Sequence, residues 1–159
     1  MISITDYRQF IAEAVSRSSA ACGVAADKIR LAVTESQLIN LLKDQPGVVV
    51  CGNIPASDLS HHTDGYWMSS GECLLMVLQK MPQDQAGTDR EYDAMARLQQ
   101  LMAALLTLLG DYYRTREFCD RFTVDVTQPL RVEWEYNTYG GFNGLSVVFH
   151  LKDQKGTAL

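Results

Sequence analysis

The stretch VEWEYNTYGGFNGLSVVFHLKD, from Val132 to Asp153, alternates large apolar and polar residues on either side of a glycine-rich middle. Period-two alternation flanking a turn signal is the pattern of a β-hairpin with one buried face. A phosphate-cradling loop would instead place glycines at set spacing after a strand and directly before a helix, so that backbone N–H groups converge on the anion. Gly140, Gly141 and Gly144 do not match GxGxxG, no lysine follows them, and the residues beyond continue the strand alternation. Parity supports the hairpin. With Gly140-Gly141 as a two-residue loop, Leu130 lies opposite Leu151, Val132 opposite Phe149, Trp134 opposite Val147 and Tyr136 opposite Leu145, which gathers the large apolar side chains on one face. Trp134 is therefore expected in the core. Tyr139 and Phe142 flank the glycines at the far end and are expected to face solvent, where two aromatics held by a tight turn would anchor a neighbouring subunit.

The segment before the hairpin, FTVDVT, alternates in the same way, with Phe122, Val124 and Val126 opposed to Thr123, Asp125 and Thr127, until Pro129 interrupts the ladder. A closing three-strand meander follows from this. Upstream of it, TDREYDAMARLQQLMAALLTLLG has helical periodicity, with Thr88 and Glu91 placed as a capping box. Its first half is one-sided (Tyr92, Met95, Leu98, Met102), but Leu101 to Leu109 is apolar nearly all round and calls for cover on several sides.

Further back, Cys73 to Leu78 is apolar at every position, as in a strand covered on both faces, and Gly71 suggests a bulge. GVVVCGN reads as a brief buried strand. The stretch from Ile54 to Gly65 has loop composition without periodicity. At the N-terminal end, Tyr7, Phe10, Ile11, Ala14 and Val15 recur at helical spacing between a cap at Ser3 or Thr5 and a stop at Gly23. KIRLAVT fits either a half-buried strand or an extension of helix; Thr34 and Gln37 then resemble a capping box opening a short helix that Pro46-Gly47 ends. The expected fold is a single α+β domain spanning residues 1–159: a mostly antiparallel sheet whose C-terminal meander packs against one long helix, with N-terminal helices beside it.

Composition bounds the function. The 159 residues are 47% hydrophobic and 21% charged, which suits one globular core. Fourteen Lys and Arg against 19 Asp and Glu give a net charge of -5, the wrong balance for a nucleic-acid partner. No run approaches the roughly 18 apolar residues of a membrane span, and the N-terminus MISITDYRQF lacks the basic and apolar segments of a secretory signal. Cys22, Cys51, Cys73 and Cys119 are dispersed and read as buried thiols of a cytoplasmic protein.

Three constellations could carry chemistry. His61, His62 and Asp64, with Asp58 close by, form the most metal-like cluster, although neither HExxH nor another ligand spacing is present; no metal and no cofactor is expected. Cys51 or Cys73 with a histidine could form a nucleophile and base, but both lie in apolar flanks. Asp125, Glu133 and Glu135 should share the outer face of the last strands, where carboxylates serve either as acid and base or as ordinary solvated charge.

The order of elements resembles the tail-terminator and tail-completion proteins of tailed bacteriophages: a leading helix, the turn-rich IPASDLSHHTDG, the long apolar strand ECLLMVLQKM, one long helix opening TDREYDAMARLQQLM, and closing strands ending GLSVVFHLKD. Those families have no invariant catalytic motif, so no residue role carries over. The resemblance implies a non-enzymatic protein that assembles into a ring, contacts copies of itself and other tail-type proteins through sheet edges and loops, and is cytoplasmic or virion-associated. The alternative is a small enzyme or ligand-binding domain using the loop at residues 54–66.

Overall fold

A computed structural model of the chain describes residues 1–61, 65–115, 121–125, 127 and 129–153. In chain order the elements are helix α1 (Ile4–Cys22), strand β1 (Lys28–Ala32), helix α2 (Glu35–Leu42), strands β2 (Val48–Asn53), β3 (Asp58–His61) and β4 (Trp67–Lys80), a 3-10 turn (Gln83–Gln85), helix α3 (Asp89–Thr115), and strands β5 (Phe122–Asp125), β6 (Arg131–Thr138) and β7 (Phe142–Asp153). The α+β class holds, with one long helix and a sheet that is antiparallel except between β1 and β2.

Local signals set most of these elements. Ser3 caps α1 by accepting the Asp6 amide at 3.3 Å, and Gly23 ends it in the left-handed region at φ 73°. Thr34 caps α2 by accepting the Gln37 amide, while the Gln37 side chain reaches back to the Val33 amide at 2.9 Å, so residues 28–44 are strand plus helix. Glu91 reaches past Thr88 to the Gly87 amide at 2.6 Å, a capping box displaced by one residue.

The strands run β1-β2-β4-β7-β5, with β3 and β2 end to end along one side of β4, and β6 and β5 end to end along one side of β7. The last three strands are therefore not successive neighbours, as a meander requires. Pro129, which supplies no N–H, lies in the break between two pieces of one edge. Within the expected loop at residues 54–65, Asp58 to His61 pairs with β4. Gly71 stays in regular register with Leu151 and is not a bulge; a Cβ there would lie 2.5 Å from the Ala56 carbonyl oxygen, so its role is to admit a passing chain.

Helices α1 and α3 cover one face of the sheet. Phe10 packs edge-on against Tyr112 and Phe122, at 5.3 and 5.7 Å between ring centroids. Cys73, Leu75 and Val77 of β4 and Leu145, Val147, Phe149 and Leu151 of β7 complete that core. Leu101, Met102, Leu105 and Leu109 are buried in it, so α1 and the sheet supply much of the cover that α3 needs. On the opposite face α2 covers a smaller core of Val49, Cys51, Met76, Leu78 and Phe142. β4 is thus buried on both sides, as its unbroken apolar run predicts. Arg121 ties the layers together, meeting Asp6 at 2.6 Å and the fully buried Asp153 at 2.9 Å.

Candidate assembly interface

The hairpin keeps the expected parity but not the expected register or burial. Its loop has three residues: Thr138 pairs with Phe142, and the Gly141 amide donates to the Thr138 carbonyl. Asn137 adds a bulge residue at φ 50°, its amide held by Asn143 Oδ1 at 2.7 Å. An odd loop plus one extra residue restores the parity, now with Trp134 opposite Leu145 and Val132 opposite Val147. The face is shared as expected, but its cover stops short. Val132, Trp134 and Tyr136 are 38%, 51% and 64% exposed, because β6 is an edge strand beyond the reach of α3, which packs over β4, β7 and the neighbouring edge piece β5.

The tip behaves oppositely. Phe142 is fully buried beneath α2, and Tyr139 is half-buried with its hydroxyl 3.8 Å from Met76 Sδ. The anchor role expected of Tyr139 and Phe142 rested on their facing solvent, and the α2-covered core takes them instead. Positive φ at Tyr139, Gly140 and Gly141 turns the tip. Burial also pushes the Tyr139 hydroxyl pKa up from its ordinary value.

Of the metal-like cluster, His61 sits on exposed β3 with its ring edge-on to Trp67 at 5.2 Å. His62 and Asp64 lie outside the described residues, as does Cys119. Among the described residues no group of three His, Cys, Asp or Glu is placed to hold a metal ion. Cys51 and Cys73 are buried, one in each core, and burial pushes both thiols up to about 12, far from the range of a nucleophile at neutral pH.

The three carboxylates do share the open face. Asp125 accepts from the Thr127 hydroxyl at 2.7 Å and meets Lys152 at 2.9 Å, which holds its carboxyl well below the usual range. Glu135 accepts from the Ser146 hydroxyl at 2.6 Å, and Glu133 pairs with Arg131 at 2.6 Å. Each carboxylate has its own partner, which is the arrangement of a charged outer surface rather than of an acid and base aimed at one reacting atom.

Two surfaces stand out in their place. On the outer edge, β6 presents apolar Val132, Trp134 and Tyr136 on the side of α1 and α3, and charged Arg131, Glu133 and Glu135 on the other. At the opposite end of the sheet, β1 is also an edge strand, pairing among the described residues with β2 alone. Its Ile29 and Leu31 lie on the side of α1 and α3, while Lys28 and Arg30 lie on the side of α2. A groove of about 610 Å³ runs along this edge, with Ile29, Leu31 and the half-exposed Ile4 and Leu41 on its apolar side and Arg8, Gln9 and Arg30 on its polar side. Edge strands leave alternate backbone N–H and C=O groups without strand partners, so each edge can accept a further strand. The alternation in both segments is plain in the sequence; their positions at opposite ends of one sheet are not.

No protein-family model matches the chain, and a comparison with functionally characterised proteins returns no match.

Proposed function

We propose that this chain is a non-enzymatic structural subunit that assembles with copies of itself, of the tail-terminator or tail-completion kind that its order of elements resembles. The observation that carries this reading is the β6 edge, where three large apolar side chains stand exposed beside backbone groups that have no strand partner among the described residues. A second edge, with a groove lined by both apolar and basic side chains, lies at the far end of the same sheet. A subunit whose two contact surfaces differ joins its copies head to tail, and such contacts close into rings or extend as filaments. Other tail-type structural proteins would dock on the finished ring, within the cytoplasm or on the virion.

Light scattering coupled to gel filtration, over a wide range of protein concentration, tests the proposal. Species larger than a dimer are expected. A strict monomer at every concentration overturns it. The alternative of a catalytic or ligand-binding loop at residues 54–66 gains little from the geometry, since residues 58–61 pair with β4 and His61 packs on Trp67.

A further inference from the structure

We infer that the two edges are complementary and that β6 of one copy adds antiparallel to β1 of the next in a single register. This rests on the self-assembly proposed above and names the surface that performs it.

Strand direction supplies the first argument. β6 runs opposite to β7, β7 opposite to β4, β4 opposite to β2, and β2 along β1, so β6 and β1 point in opposite directions within one sheet. A second copy set beside the first in the same orientation therefore brings β6 antiparallel to β1, with the face covered by α1 and α3 continuous across the junction.

Side-chain chemistry then selects the register. In an antiparallel pair, directly opposed residues share a face and approach closely enough to interact. With Glu133 opposite Arg30, Glu135 falls opposite Lys28 on the outer face. The same register sets Trp134 opposite Ile29 and Val132 opposite Leu31 on the helix-covered face. Acid meets base on one side, where Glu133 and Glu135 would share their bonds to Arg131 and Ser146, and Arg30 its bond to Gln45 Oε1, with the new partner, and apolar meets apolar on the other. Trp134 enters the groove beside Ile4, and its exposed half finds cover there. Sliding the strand by one residue would set Glu133 and Glu135 against Ile29 and Leu31 or their neighbours on the wrong face, which opposes that register.

Self-pairing of β6 about a twofold axis is the competing geometry. It would leave β1 and its groove empty and would make a closed dimer.

The test uses two charge-reversed forms of the full chain, E133K/E135K and K28E/R30E, at about 0.15 M salt, where the Debye length of about 8 Å limits attraction to close contacts. Near-ultraviolet circular dichroism checks that each is folded, and sedimentation velocity reads assembly against concentration. Each form alone should need about tenfold more protein than the parent to assemble, from two cross-strand pairs turned repulsive. An equimolar mixture should assemble like the parent, because in an alternating head-to-tail array every junction is again acid to base. A parent that assembles while both forms assemble unchanged overturns the interface and leaves self-assembly standing. Loss in E133K/E135K with none in K28E/R30E overturns it in favour of β6 pairing with itself. A monomeric parent overturns both proposals.

Discussion

Removing Phe142 should cost far more stability than removing Trp134, although the sequence alone suggests the reverse. Phe142 is fully buried in the small core between α2 and the sheet, among Leu38, Leu42, Val49, Met76 and Leu78. Phe142→Ala loses the transfer term of the ring and leaves a cavity that these neighbours fill only in part, a combination that costs about 3–5 kcal/mol. Trp134 is 51% exposed, and its site opens to solvent, so no cavity forms. About half of the roughly 1.5–3 kcal/mol released by fully burying a large apolar side chain is at stake, and Trp134→Ala should cost about 1 kcal/mol. At roughly 2–4 °C per kcal/mol for a chain of this size, the melting temperature should fall by about 6–20 °C for Phe142→Ala and about 2–4 °C for Trp134→Ala. The assay is thermal unfolding followed by circular dichroism at concentrations low enough to hold the protein monomeric, since association would add its own stabilisation. An equal or larger loss for Trp134→Ala under those conditions would refute the placement of β6 at an uncovered edge.

Two further outcomes follow from the interior. The buried thiols of Cys51 and Cys73, pushed up to about 12, should be inert to a thiol reagent at pH 8 until the chain is unfolded, whereas half-buried Cys22 should react in the native protein. Because the folded state holds these two groups protonated while the unfolded chain ionises them near the ordinary value of 9.0, their contribution to stability is complete below about pH 9 and falls as the pH rises toward 12. A urea midpoint that stays flat from pH 8 to 10.5 would contradict this. Arg121→Ala removes the guanidinium that meets both the fully buried Asp153 and Asp6 and should cost about 3–5 kcal/mol, read as a fall in the urea midpoint at constant slope; a loss below about 1 kcal/mol would show that Arg121 does not tie these layers together.

What the sequence determined by itself was local. Caps at Ser3 and Thr34 and the stop at Gly23 act over a few residues, so they can be read without knowing the fold. Alternation in residues 132–153 set which side chains share a face, and that parity survived a loop of different length because the bulge at Asn137 compensated for it. The unbroken apolar run from Cys73 to Leu78 required burial on both sides, and two cores meet it. Coverage, by contrast, belongs to the tertiary structure. Whether an apolar face becomes core depends on which strand lies at the margin of the sheet and how far the helices reach, and neither is encoded in the periodicity of that strand. Trp134 and Phe142 therefore exchanged the roles that pattern gave them. Likewise, Lys28 and Arg30 lie about a hundred residues from Glu133 and Glu135 in sequence. Only the strand order, which puts β1 and β6 at opposite ends of one sheet and in opposite directions, makes the two segments candidates to meet.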